Sequence, residues 1–429
     1  MVKRCADALA CQVRDYRSAV GGFSRNAHRY LVSGFFQGVG GGMLATVFTI
    51  YIKTAGMPER VIGDVEAAVA FAAAVVCVVG PPLVAVAGYR VLIVSAIALM
   101  VAARLGQSLL PLAGVLVGLA LVIGLGDGFL RAINSAFLSE SSRDEERGHL
   151  FSSEFVNRVL AGFLGGVAGG FLPTMLAPRV GELASYQVTI ALGALLLAAG
   201  AVPMLAVRES REERTRLAQA YVGAVRRFRS WRKVGKLVLP QSFISLGGGM
   251  VIPFIPLYLK QHLHATIAQV GLIQGSASVV LALVSFGTPV IARRLGLTRG
   301  VPLLQGLSVP FLALVPVVGS IAVAVGALWA RGALMNMAGP MVNQYSMEDV
   351  PAEDKPLVAG WMFFALNMMW LAGNMAGGRL MEVSYAAPYV PAVFLYATGA
   401  GASYAVWHRS VRRSAARPTR PAAVVETAA

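Results

Sequence analysis

The run VGGGMLATVFTIYIK at residues 39–53 returns as LGGGMVIPFIPLYLK at residues 246–260. Gly40, Gly41, Gly42 and Met43, then Tyr51 and Lys53, recur as Gly247, Gly248, Gly249 and Met250, then Tyr258 and Lys260, at a shift of 207. Two further regions agree at a shift of 208: Glu140, Glu145, Glu146 and Arg147 return as Glu348, Glu353, Asp354 and Lys355, and Gly165, Gly169 and Gly170 return as Gly373, Gly377 and Gly378. Nearly one offset shared by separate regions is the mark of a chain built twice from one unit.

Each copy is made of long apolar runs. Spans are expected near Tyr30–Tyr51, Val65–Val84, Val91–Leu110, Ala113–Phe137, Glu154–Met175 and Ser185–Leu205. Six more are expected near Val238–Leu259, Ile267–Ile291, Val301–Val318, Ile321–Met341, Leu357–Leu380 and Val390–Trp407. Runs of about 20 apolar residues suffice for a helix to cross a hydrocarbon core of about 30 Å. Hydrophobic residues make up 56% of the 429 and charged ones 14%, whereas soluble domains carry about 45–50% and about 25%. A bilayer is therefore the solvent. An outer-membrane barrel would instead show segments of about ten residues alternating in polarity.

The fold class that follows is an all-α integral membrane protein of twelve transmembrane helices, arranged as two six-helix bundles. A repeat unit of six spans, an even number, keeps both copies in one orientation, so they are parallel repeats about an axis along the membrane normal. The expected organisation is an N-tail at 1–29, bundles at 30–207 and 237–408 joined by a basic linker at 208–236, and a C-tail at 409–429. For part of the linker, an amphipathic helix on the membrane surface and a plain solvated segment both remain open.

The net charge of +16 is a matter of topology. Most of the 37 Lys and Arg residues fall in the tails, the linker and the loops on the side of the tails. Lys53, Arg60, Arg179, Lys260 and Arg379 fall on the other side. The positive-inside rule then puts both termini in the cytoplasm, and a prokaryotic inner membrane is the expected location. Nucleic acid is not expected as a partner. Cys5, Cys11 and Cys77 provide neither a disulfide framework nor a metal-ligand spacing, and His262 with His264 does not make a metal site. The chain has no phosphate-cradling glycine loop, no paired catalytic carboxylates and no nucleophile beside a base, so neither an enzyme nor an ATP-driven pump is expected.

Twelve spans as six plus six, the basic central loop and the repeated loop motifs resemble the major facilitator superfamily, over about Asn26 to His408. The most specific residues are Glu140, Arg143, Asp144, Glu145, Glu146, Arg147 and Gly148, similar to that family's acidic-then-Glu-Arg-Gly motif. After span 2, Gly80, Gly88 and Arg90 match the family's Gly and basic positions, while Val84 or Ala85 stands where it has an acid. After span 8, Gly287, Pro289, Arg293, Arg294 and Gly296 are the counterpart, again without the acid. The resemblance implies secondary transport by alternating access, with Glu140, Arg147, Glu348 and Lys355 at the cytoplasmic gates and helices 1, 4, 7 and 10 lining the cavity. In span 5, Gly165, Gly166, Gly169 and Gly170 resemble an antiporter element, with Gly166 where proline is usual. Plain helix packing accounts for the same spacing.

Ionisable groups at bilayer depth are costly and need a reason. Asp127 and Arg131 stand four apart in span 4, on one helix face, where they are expected to pair. As the only acid expected at that depth, Asp127 is the candidate for proton coupling. Arg331 in span 10 either pairs with Asp127 across the interface or faces the cavity as an anion site, a role suited to its planar fork. Arg104 and Arg158 are expected to snorkel to an interface. Gln37, Gln241, Asn134 and Asn343 can hydrogen-bond a substrate or bind helix to helix.

The expectation is a secondary transporter of a small solute or ion, proton-coupled, with export by antiport ahead of anion or organic-acid uptake by symport. A non-transporting scaffold or sensor with a transporter fold is the alternative of another class, and a lipid flippase is a third. A monomer with membrane lipids around it, protons as a second solute and no cofactor completes the reading.

Overall fold

The computed structural model describes residues 23–142, 146–207, 227–348, 350–351 and 353–415. The regular structure among these residues is helical throughout. Twelve elements have membrane length: α1 Arg25–Thr54, α2 Glu59–Ala87, α3 Tyr89–Leu109, α4 Ala113–Glu140, α5 Arg147–Val180, α6 Glu182–Leu205, α7 Trp231–Gln261, α8 Ile267–Ser285, α9 Leu297–Leu314, α10 Ile321–Met347, α11 Lys355–Val383 and α12 Tyr389–Ala415. Ten of them contain an 18-residue window apolar enough to cross a membrane; α2 and α12 have the length, at 29 and 27 residues. Large apolar side chains such as Leu195, Val202, Leu283, Phe286 and Phe394 are exposed around the outside. Water would penalise such a surface and lipid would not.

An even number of crossings puts Arg25 and Ala415 at one end of the bundle, the termini end, and the α1–α2 turn at the far end. Local chemistry sets the element boundaries. Ser24 caps α1 by accepting from the Ala27 N–H at 3.1 Å. Thr266 and Gln269 form a reciprocal capping box at the start of α8, satisfying backbone donors that a helix end leaves free. Gly88 joins α2 to α3 at φ 80, ψ 162, and Gly296 precedes α9 at φ 70, ψ 167. Only glycine tolerates this region of backbone space. The two glycines lie 208 residues apart, so one turn has been copied with its conformation.

Two spans are broken where the apolar pattern predicts continuity. In α7, a 3-10 turn at Ile252–Phe254 separates Trp231–Val251 from Ile255–Gln261. Pro253 and Pro256 lie in or beside this turn, and each removes a backbone N–H from the helical ladder. The matching positions of the unbroken α1 are Thr46 and Thr49. The eighth span, expected to run to Ile291, ends at Ser285; after Phe286 and Gly287 a separate helix, Thr288–Leu295, begins with Pro289 in its first turn.

Helices α5 and α11 act as wedges. A methyl group at Gly165 or Gly169 would strike the α1 backbone at Val39 or Met43, while one at Gly166 or Gly170 would strike α8 at Gly275 or Gly271. α5 is thus held on one face by its own half and on the other by the opposite half. In α11, Gly373 and Gly377 abut Leu246 and Met250 of α7, and Gly378 abuts Gly63 of α2. The first six and last six helices therefore meet along two related seams, α5 on α8 and α2 on α11. Glycine lets backbones approach this closely, and close approach supplies the van der Waals contact that joins helices in lipid.

Candidate functional site

The far end is fastened across the seam by charge. Lys260 on α7 bridges Glu182 on α6 at 2.5 Å and also donates to the Tyr186 hydroxyl. Arg379 of α11 stands 3.6 Å from Asp64 of α2, and Arg60 of α2 stands 3.6 Å from Glu382 of α11. Glu59 is tied twice: to Lys53 within its own half at 2.6 Å, and to the hydroxyl of Tyr385 from the other half at 2.8 Å. Burial and the neighbouring Glu59 carboxylate push the Tyr385 hydroxyl up to about 12, which keeps it a donor.

α4 and α10 do not pack against each other among the described residues. A cavity of about 430 Å³ lies between the halves, lined by Phe155 and Arg158 of α5 and, from the second half, by Ser245, Arg331, Asn343 and Trp370 among others. Arg331 is 7% exposed. Its Nη1 donates to the hydroxyl of Tyr396 at 3.0 Å, and its Nε has no partner among the described residues. Of the two placements open to Arg331, the structure takes the cavity.

Asp127 and Arg131 pair as their spacing predicts, with Arg131 Nε 2.6 Å from Asp127 Oδ2. The pair lies about 21 to 27 Å along α4 from Ala113, at about 1.5 Å per residue. Its side chains are 31% and 63% exposed, and neither is among the residues that line the cavity between the halves. Asp127 does not stand alone. Glu66 of α2 and Arg104 of α3 lie within electrostatic reach of it and of each other. Arg104 sits 4.6 Å above the ring of Phe48 and donates to Gln107 at 3.1 Å, so it turns into the helix bundle and does not snorkel outward. Glu66 was legible as an acid one position inside an apolar run.

Arg158 likewise lines the cavity, with Glu154 one turn away at 3.7 Å. Of the four amides, Asn343 lines the cavity. Gln241 closes a buried triangle with Gln305 and Ser403 at 3.1 to 3.3 Å, joining α7, α9 and α12. Gln37 donates to Ser33, which in turn donates to the Gly200 carbonyl of α6. Asn134 accepts from Tyr30 at 2.7 Å. These three bind helix to helix.

At the termini end Gly80 packs beside Val76 within reach of α4, Gly88 makes the turn already described, and Arg90 is exposed at the start of α3. Glu140 closes α4 and Arg147 opens α5, while Arg143, Asp144 and Glu145 lie outside the described residues, as do 1–22, 208–226 and 416–429. Glu348 follows α10 and Lys355 opens α11, both exposed. The buried member of that junction is Asp354, which accepts from the Ser230 hydroxyl at 2.5 Å and the Arg229 N–H at 3.4 Å. It staples the start of α11 to the start of α7.

The family model described as Major Facilitator Superfamily matches residues 30–374. No curated protein matches the chain in sequence. Among solved structures, the POT family transporter PepTSo superposes with a TM-score of 0.69 at 9% identity, covering 91% of this chain and 99% of its own. The nucleoside transporter NupG gives 0.63 at 11%, covering 91% and 100%. A bacterial homologue of the human lysosomal transporter Spinster, in an inward-facing and unoccupied conformation, gives 0.65 at 14%, covering 93% and 96%. At these identities the likeness is one of fold.

Proposed function

The chain belongs to the Major Facilitator Superfamily, and from that premise we propose that it is a proton-coupled secondary transporter that exports a small solute by alternating access. The observation that carries this reading is the asymmetry of the seam. Five cross-half contacts fasten the far end while a cavity lies between the halves toward the termini end. Positive charge concentrated on the termini side supports placing that side in the cytoplasm, which makes this an inward-facing state with its site offered to cytosolic solute.

Bundles 30–207 and 237–408 are the bodies that rock. The α5–α8 and α2–α11 seams, with glycine at the closest approaches, supply surfaces on which two rigid bodies can pivot. Asp127 is the coupling group: while charged it holds Arg131, and protonation releases that partner, which gives the two protonation states different internal contacts. A proton entering as the solute leaves would cross at this carboxylate.

The test is reconstitution. Proteoliposomes with an imposed pH gradient, a trapped pH dye and a broad solute panel should show solute efflux tied to proton entry. Binding without flux of any solute would favour a scaffold or sensor, and flux indifferent to the gradient would remove proton coupling.

A further inference from the structure

Given the transporter reading above, we infer that the solute is an organic monoanion with a flat apolar body, and that it binds between Arg331 and Arg158 so as to draw the two halves together at the termini end. Arg331 is the strongest observation. Its guanidinium is buried, its hydrogen-bond partner among the described residues is the neutral Tyr396 hydroxyl, and its Nε is aimed at nothing. A buried cation left with an idle donor is costly unless an anion completes it. Nε and a terminal nitrogen together form the edge that grips a carboxylate bidentately.

Counting charge around the cavity gives the class. Its lining holds two guanidiniums and no carboxylate. Arg158 has Glu154 at 3.7 Å, so that charge is largely offset from outside the cavity, and the surplus is close to a single positive charge. One negative charge satisfies it. A cation would meet repulsion with no acid to receive it. Phe155, Ile244 and Trp370 provide the apolar wall, suited to a planar hydrocarbon body more than to a sugar rich in hydroxyls.

The two arginines belong to opposite halves, Arg158 to α5 and Arg331 to α10. In the empty cavity the Arg331 and Arg158 guanidiniums face one space without an acceptor between them. An anion placed between them accepts from both, and those bonds strengthen as α5 and α10 approach, so binding energy favours the closed termini end. Substrate recognition and gate closure then reside in the same pair of side chains.

The experiment uses the full chain with Cys5, Cys11 and Cys77 replaced, in lipid nanodiscs, with spin labels at Ser152→Cys on α5 and Gln344→Cys on α10. The probes are 1-naphthylacetate, its neutral amide and the cation 1-naphthylmethylamine. Binding is read by tryptophan quenching and closure by the label distance. The anion is expected to bind at least tenfold more tightly than either analogue and to shorten the distance. Arg331→Gln should lose that preference, and Arg331→Lys should retain part of it. Arg158→Gln, at an exposed side chain, should bind the anion more weakly than the parent, keep the preference over the neutral and cationic analogues, and not close.

Equal binding of all three probes, or an unchanged preference in Arg331→Gln whose melting temperature matches the parent, overturns the inference. Closure by the anion in Arg158→Gln overturns the bridging step. Flux is measured on the same protein. Transport of neutral or cationic solutes without anion preference sinks the anion site and leaves the transporter, whereas anion binding and closure without flux sinks the transporter and leaves the site.

Discussion

At the scale of single residues, Asp127 and Tyr385 show how one polar atom can be tied to one state. Asp127→Asn removes the charge that holds Arg131 at 2.6 Å while keeping size and a hydrogen-bond acceptor. Proton-linked flux should vanish and solute exchange at equal pH should persist; a pH dye in proteoliposomes beside labelled-solute exchange reads both. Tyr385→Phe removes the bond to the Glu59 carboxylate and should destabilise the far-end seam by about 1.5–3 kcal/mol, the usual net worth of a bond to a charged group. The sign with pH follows from the raised value. The neutral hydroxyl is favoured in the folded protein, so its contribution is complete below the ordinary tyrosine value of about 10 and is lost as pH rises toward about 12. Melting curves of parent and variant should differ at pH 8 and converge near pH 12. What was legible at this scale depended on distance along the chain. The Asp127–Arg131 pair is four residues apart and could be read directly. The partners of Arg331 and Gln241 are Tyr396, and Gln305 with Ser403, 65, 64 and 162 residues away, and no helical period reports contacts of that range. The same limit hid Arg104, whose stack on Phe48 is set by how α3 meets α1.

At the scale of elements, the glycines of α5 illustrate a pattern that is visible in sequence but ambiguous there. Their spacing fits an antiporter motif and it fits packing; the structure engages all four in close approach, alternately to α1 and to α8. Gly166→Val would drive a side chain into the backbone at Gly275 and should part the α5–α8 seam, whereas Gly118→Val, where nothing stands within 4 Å, should be silent. Maleimide labelling of a cysteine at Ser278, on the seam opposite Gly162, should rise severalfold in the first variant and not in the second. The repeat also sharpens a difference. Asn374 occupies the position that corresponds to Gly166, it is fully buried, and both of its side-chain polar atoms lack partners. Such a group costs about 1–3 kcal/mol, so Asn374→Gly should raise the melting temperature by removing the orphan. The helix count and the repeat were legible because lipid imposes length and hydropathy on every span. The breaks in spans 7 and 8 were not, because membrane helices often absorb proline, and whether a given proline bends or breaks one depends on its neighbours.

At the scale of the whole molecule, charge placement and seam geometry combine into a balance between two states. With the termini side inside a cell, a monoanion leaving a negative interior moves downhill by about 2.3 kcal/mol per 100 mV, and a proton entering adds the same sign of work, so the proposed cargo and direction reinforce each other. The far-end latch sets which state waits. Its ion pairs are partly exposed, with side chains from 20% to 61% accessible, so each contributes about 0.2–1 kcal/mol and is open to screening. Removing three at once, by Glu182→Gln, Asp64→Asn and Glu382→Gln, should cost the latched state about 0.6–3 kcal/mol, a shift of about three- to 140-fold in the balance, since about 1.4 kcal/mol is tenfold. The triple variant should therefore populate a state open at the far end, read by spin labels across that end or by maleimide access from outside. High salt should move the parent the same way, because the screening length falls from about 10 Å at 0.1 M to about 3 Å at 1 M, and it should leave the variant nearly unmoved. A parent that stays latched at 1 M salt, together with a triple variant that stays closed, would place the energy of the seal in the glycine seams and not in the charges that decorate them.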